Sequence, residues 1–497
     1  MLQVAAVIST RAKRRRVEKG RIVGLVKRGK EYFCAGFVKR FPAKIMKRIH
    51  FIAIGGSIMH QLALALQRGG AHVTGSDDAI HDPAKTVLQD AGLLPQTFGW
   101  FPEKLTADID AVVLGMHAKE DNPELIRAQE LGLPIYSFPE FMYQASKEKT
   151  RVAIAGSHGK TTITSMVMHV LRKAGKDFDY LVGARLEGFD NSVQLSDAPV
   201  LILEGDEYPA SALEKRPKIF FYHPQITLLS GIAWDHINVF PTYDNYFSQF
   251  TTYLQLLQPG ATLVYNAEDG EVIRAIEHYG DHLNCIPYYM PEYRYEDGIA
   301  FLQTKDGAEI PLSVFGSHNL LNLMGAKEIC ATLGVDADTF YRAIADFSGA
   351  AKRLEKAFST EKVVSFRDFA HAPSKLKATL DAVREAYPNR KLIALFELHT
   401  YSSLNKDFLA QYADSMKAAD KALVYFSAHA LQLKRLAPLQ KEAVHEGFGR
   451  ADLEVFDEIS ALQDRVKNLI EESTEPVCLL LMSSGTFEGT EWEKLVR

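Results

Sequence analysis

Short apolar runs of strand length alternate along this chain with longer runs whose apolar positions recur at helical spacing. "RIHFIAIGG" (48–56) is an apolar strand stopped by two glycines, and "HQLALALQRGG" (60–70) is a helix closed by two more. "HVTGSDD" (72–78), "DAVVLGM" (110–116) and "LPIYS" (133–137) continue the series. A second series opens at "VAIAGSHGKTT" (152–162) and runs through "PVLILEGDEY" (199–208), "ITLLSGI" (226–232) and "TLVYNAED" (262–269) to a helix over "HNLLNLMGAKEICATLGV" (318–335). A third contains "VVSFRDFAHAP" (363–373), "KLIALFELH" (391–399), "KALVYFS" (421–427) and "VCLLLMSSG" (477–485). Strand-then-helix alternation predicts an α/β protein with mainly parallel sheets. The breaks predict a small Rossmann-like unit over 46–148, a central unit over 149–347 and a third unit over 348–497. The aromatic tract "YYMPEYRYEDG" (288–298) reads as core and a turn.

Composition changes the picture at one end only. Apolar residues make up 47% and charged residues 24% of 497 residues, which is ordinary for a globular chain. The four cysteines show no CxxC spacing, which argues against a disulfide framework or a cysteine zinc site and fits the reducing cytoplasm. Residues 1–45 carry 13 Lys/Arg against two acids (+11), leaving −16 for the other 452 residues of a chain whose net charge is −5. This basic stretch reads as a targeting or nucleic-acid-binding arm, or as sequence ahead of a start at Met46; the second is favoured because "MKRIHFIAIGG" opens a clean strand and turn. The acidic body argues against nucleic acid as a partner. No apolar run is long enough to span a membrane.

The chemistry concentrates in Gly156-Ser157-His158-Gly159-Lys160-Thr161-Thr162. A glycine loop between strand and helix lets backbone N–H groups point at anionic oxygens. The helix adds its positive end, Lys160 a full charge, and Thr161 a hydroxyl suited to Mg²⁺. Such a loop is a nucleotide-triphosphate cradle. Glu204, Asp206 and Glu207 end a later strand of the same unit, and Asp235 and His236 follow; Mg²⁺ prefers such oxygen ligands. The acids' alternative role is helix capping. "IAIGG" lacks the GxGxxG spacing, which argues against NAD.

Together these residues resemble the Mur ligases, ATP-dependent amide-forming enzymes of peptidoglycan assembly. The motifs are "GSHGKTT", "EGDEY", "WDH" (234–236), "GSHNLLN" (316–322), "AKRLE" (351–355) and "DFAHAP" (368–373), in the family's order. The resemblance implies three domains, ATP and Mg²⁺, and a UDP-sugar on the first domain. It implies that Lys160 bridges the β- and γ-phosphates, that Thr161, Glu204 and His236 hold metal, and that Asn319 and Asn322 face adenine. Arg353 would reach the γ-phosphate and Asp368 the ribose. Gly55, Gly56, Ser57, His60, Ser76 and Asp77 are the implied UDP-sugar contacts, completed by His117 and Asn122. His371 and His399 either meet the amine substrate or serve structure. Gly231 and Ala372 depart from the family pattern, as do Ala351 and Lys352.

Two branches of the family use UDP-N-acetylmuramate itself. One adds L-alanine; the other adds the tripeptide L-Ala-γ-D-Glu-meso-diaminopimelate. "EGDEYPASALEKRPKIFFYHPQ" (204–225), "FEL" (396–398) and "LMSSGTFEG" (481–489) resemble the tripeptide branch, whereas "HTY" (399–401) resembles the L-alanine branch. The tripeptide is therefore the expected amine, on a monomer or weak homodimer. A folylpolyglutamate-synthase-like ligase, a regulatory NTPase and a non-catalytic nucleotide-binding protein are the rival readings.

Overall fold

In the first sheet, strand Arg48–Ile52 lies between His72–Ser76 and Ala111–Leu114, with Ile135–Ser137 beyond, all parallel. A computed structural model provides this fold and describes residues 46–183, 188–189, 191–234, 239–349 and 353–496. Ile49, Phe51 and Ile52 are buried, as expected of a parallel strand covered on both faces. His50 interrupts them and is equally buried; its ring contacts Thr74 Oγ1 at 2.8 Å and Glu124 Oε2 at 3.2 Å.

The central sheet has seven strands in the order Asn284–Tyr288, Thr262–Asn266, Ile226–Leu229, Thr150–Ala155, Val200–Glu204, Asp179–Leu181, Val193–Gln194. Only the last runs antiparallel to its neighbour. Thr150–Ala155 is thus flanked by Ile226–Leu229 and Val200–Glu204. The loop that follows it opens between the carboxyl ends of both, the usual ligand crevice of a doubly wound sheet.

The tract over 288–298 supplies core and a turn: Tyr288 is buried, and Tyr293 and Tyr295 pack against the same apolar cluster. It enters a separate antiparallel sheet of Tyr293–Glu296, Ile299–Gln303 and Glu309–Leu312. Asp297 (φ 51°) and Gly298 (φ 79°) make its first turn. Two successive residues at positive φ match the right-handed twist of hairpin strands, which is why Asp-Gly signals such a turn.

The third sheet is parallel apart from its edge strand Glu355–Ser359, which pairs antiparallel with Val363–Asp368; the order continues Val477–Met482, Lys391–Leu398, Lys421–Phe426, Glu454–Phe456. One apolar core joins it to the central unit: Leu320 and Leu323 of helix Ser317–Thr332 share a cluster with Leu376, Leu380 and Val383 of helix Pro373–Ala386. Phe315 packs edge-on to Phe366, ring centres 5.1 Å apart. A second core joins the first sheet to the central one through Phe138, Phe141, Phe220 and Phe221. Among the described residues, no helix is long and apolar enough to cross a membrane.

Candidate active site

Backbone geometry sets the loop after Thr150–Ala155. Gly156 has φ 121°, and a Cβ there would lie 2.3 Å from Ser230 Oγ. Gly159 has φ 77° at the start of helix Lys160–Lys173, and a Cβ would lie 2.3 Å from Asn322 Oδ1. Both positions therefore exclude side chains on two counts, strain and space. Ser157 N donates to Gly231 O (2.9 Å), and Ser157 Oγ accepts from Ala233 N (2.9 Å). Ser230 Oγ donates to Ala155 O (3.1 Å) and also bonds His158 O. Gly231 has a local reason: a Cβ there would lie 2.9 Å from Asp269 Oδ2, which accepts from Ile232 N.

Three acids at the end of one strand take three different partners. Glu204 accepts from Thr161 Oγ1 (2.7 Å) and Gly183 N (2.8 Å). Asp206 pairs with Lys218 (2.6 Å). Glu207 pairs with Lys160 (2.8 Å), whose ammonium also donates to Gly156 O (2.5 Å). Burial alone would lower the Lys160 pKa; Glu207 and Asp206 outweigh it, so the ammonium is held charged. Burial likewise opposes ionisation of Asp206, and Lys218 and Lys160 overcome it, holding the carboxyl below its ordinary range.

A cleft of about 740 Å³ opens above this centre. Its walls include Ser157, His158, Gly159, Lys160, Thr161, Thr162, Glu204, Asn319 and Asn322 of the central unit, and Arg353, Asp368 and His371 beyond it. Gly56, Ser57 and His117 complete the cleft from the first sheet. His158 Nε2 lies 2.7 Å from Ser374 Oγ, joining the loop to the third sheet's helix. Asn319 Nδ2 donates to Phe315 O (2.9 Å), so part of its hydrogen-bonding capacity serves the helix start.

Several expected ligand contacts turn out to be committed to the scaffold. Asp77 Oδ2 accepts from Gly55 N (2.7 Å), and burial lifts its carboxyl above the ordinary range. Buried Ser76 accepts from Lys104 Nζ at 3.0 Å. His60 Nδ1 bonds Gly56 O (2.8 Å), and burial lowers its pKa against that bond, which keeps the ring neutral. Asn122 caps helix Pro123–Glu130, accepting from Glu124 N and Leu125 N (3.0 and 3.1 Å). Their side chains shape the glycine loop and its neighbour rather than line the cleft.

Asp368, expected at the ribose, is also occupied. Its oxygens accept from Leu354 N and Ala370 N, both at 2.6 Å. Burial raises its pKa, opposed by Arg353 and His318. It thereby fixes the segment carrying Arg353, whose guanidinium stacks 4.6 Å over Phe369. His399 lies outside the cleft wall, 3.6 Å from Glu397. Glu397 accepts from Ser483 Oγ and from Phe487 N (2.9 Å). Burial would raise the Glu397 pKa, but His399 and Ser483 lower it further, so the group is anionic. His236 lies outside the described residues.

Ser230, Lys218 and Asp269 complete the site without having been singled out from sequence, and Glu207, expected among the metal-side acids, pairs with Lys160. The only signal for Lys218 was its place in "EKRPKIFFY", where nothing local says which way the side chain faces.

Three family models match the chain: the Mur ligase family catalytic domain over 48–150, the Mur ligase middle domain over 154–330 and the Mur ligase glutamate ligase domain over 352–485. The chain belongs to the Mur ligase family. Mur ligases are ATP-dependent, Mg²⁺-requiring enzymes that form amide bonds in peptidoglycan synthesis. A UDP-N-acetylmuramate–L-alanine ligase from Sulfurihydrogenibium sp. is 33% identical over 77% of this chain and 83% of its own length. Among solved structures, a murein peptide ligase from Psychrobacter arcticus superposes with a TM-score of 0.58 at 23% identity, over 90% of this chain and 98% of that one. A UDP-N-acetylmuramate–alanine ligase from Thermotoga maritima gives 0.64 at 21%, over 90% and 98%. These two show the shared fold.

The residues fit Mg²⁺. Thr161 Oγ1 and Glu204 Oε1 are hard oxygen donors already 2.7 Å apart beside the phosphate loop. Among the described residues no group of three His, Cys, Asp or Glu could hold a metal; His236, the third expected ligand, lies outside the described residues.

Proposed function

We propose that this Mur ligase joins UDP-N-acetylmuramate to the amino group of L-Ala-γ-D-Glu-meso-diaminopimelate. The observation that carries the reading of amine size is the open surface at the carboxyl ends of the third sheet. His399, 3.6 Å from the buried Glu397, has 39% of its side chain exposed, and Tyr401 is 45% exposed. A site selecting free L-alanine must enclose one methyl group, because selectivity for small side chains comes from a closed pocket. An open surface of this kind suits a longer peptide better than a single amino acid. The segments 204–225 and 481–489 support the same choice.

The chemistry follows from the cleft. A carboxylate oxygen of the acceptor attacks the γ-phosphorus of ATP; the bond to the β-phosphate oxygen breaks and ADP leaves. The amine nitrogen then attacks the acyl carbon, the carbon–oxygen bond to phosphate breaks, and the nitrogen loses its proton to solvent. Lys160 and the loop N–H groups hold the β- and γ-phosphates, and Arg353 meets the transferring phosphoryl group. Thr161 and Glu204, with His236, would hold the Mg²⁺, which neutralises phosphate charge. Asn319 and Asn322 face the nucleotide base; Gly56, Ser57 and His117 border the acceptor.

L-alanine is the second reading, because the curated relatives at 28–33% identity are L-alanine ligases. The test is kcat/KM with each amine at saturating ATP and UDP-N-acetylmuramate. A preference for the tripeptide supports the proposal, and a preference for L-alanine replaces it with the second reading.

A further inference from the structure

Lys218 opens the short turn Lys218–Phe221, which packs against helix Phe138–Ala145 of the first sheet's unit. Its ammonium lines the same cleft as Lys160, Gly56, Ser57 and His117. The other cations on the wall sit elsewhere: Lys160 beneath the phosphate loop, Arg353 and Lys375 on the side of the third sheet. Among the described residues Asp206 is the only hydrogen-bond partner of the Lys218 ammonium, at 2.6 Å. An ammonium has three donors, so two remain for something in the cleft. Lys160, by contrast, already divides its donors between Gly156 O and Glu207.

The surroundings explain why a second cation is needed. Glu204, Asp206 and Glu207 crowd one strand end, and two of them, Glu204 and Asp206, line the cleft. An acceptor that brings a carboxylate towards ATP meets those charges as well as the phosphates. Like charges brought together in a partly buried site repel strongly. A cation on the first sheet's side, with donors to spare, offsets this at the place where the acceptor enters.

We propose that Lys218 is the residue that receives the acceptor's carboxylate and keeps it beside the γ-phosphate, making the enzyme selective for an anionic acceptor. This rests on the reading of UDP-N-acetylmuramate as acceptor, and not on which amine follows. The lysine holds the attacking oxygen in place. It gives up no proton.

The test compares two nucleotide sugars, UDP-N-acetylmuramate and UDP-N-acetylglucosamine, which lacks the lactyl carboxylate. Binding of each to the full chain is measured by calorimetry, without amine. Wild type is expected to prefer the muramate. Lys218→Met should weaken muramate binding about 10- to 100-fold, the usual range for one hydrogen bond to a charged group. It should leave the glucosamine sugar and the ATP analogue within about twofold, so the preference collapses. Lys218→Arg should restore most of it. Equal loss for both sugars would mean that Lys218 only braces the Asp206 loop, and unchanged muramate binding would mean that it touches nothing; either overturns the proposal. Wild-type protein that binds neither sugar would remove the acceptor reading and this inference with it. Lys218→Met should melt below wild type, because Asp206 loses its nearest cation, whereas Lys218→Arg keeps the charge and should melt as wild type does, so the binding comparison is made at a temperature where all three are folded.

Discussion

The Lys160–Glu207 pair allows chemistry and stability to be separated at one site. The two groups are 2.8 Å apart with 15% and 4% of their side chains exposed. At an effective dielectric of about 20 their gross attraction is roughly 6 kcal/mol. Desolvation of both charges offsets much of that, so the pair itself adds little. Removing one partner is different, because it strands a buried charge at a cost of about 3–5 kcal/mol. Lys160→Met should therefore lower the urea-unfolding free energy by about that amount and cut ADP release by at least about 10²–10³-fold, the usual loss when one phosphate- or oxyanion-stabilising group goes. Lys160→Met with Glu207→Gln should regain most of the stability, since no charge is left unpaired, while turnover stays lost. Denaturation curves and coupled ADP release read the two effects independently. A double variant that recovered turnover, or a single variant as stable as wild type, would refute the assignment of Lys160 to both jobs.

Asp368→Asn presents an N–H to one of two backbone donors, Leu354 N or Ala370 N, at a cost of about 1–3 kcal/mol. Arg353 then loses its support, and kcat should fall more than ATP affinity when the two are measured separately. Thr161→Val removes the hydroxyl that donates to Glu204 and should raise the Mg²⁺ concentration for half-maximal rate, by about tenfold in a metal titration. Glu397 has a lowered pKa in the folded protein, so its contribution to stability is present above the unfolded value of about 4.3 and fades as pH falls through the lower folded value. Glu397→Gln should flatten that part of the acid limb in a stability–pH profile; an unchanged limb would contradict the bonding described for the loop Ser483–Phe487.

The sequence by itself determined what depends on neighbours along the chain. Alternating strand and helix patterns specified three α/β layers, because burial on both faces of a parallel strand leaves a legible apolar run. The phosphate loop was legible for the same reason: its glycines, Lys160 and Thr161 act through one turn of backbone and the start of one helix. Tertiary structure decided the rest. Val200–Glu204 lies beside Thr150–Ala155, with Ile154 opposite Glu204, and this sheet order brings Glu204 to Thr161. Asp206 and Glu207 stand next to each other in sequence yet turn to different cations, Lys218 and Lys160. Asp368 and Asn122, expected as ligand contacts from their motifs, also accept from backbone N–H groups, because a buried donor left unpaired is costly. Such choices are made between segments tens to hundreds of residues apart, where a one-dimensional pattern carries no information about which side chain meets which.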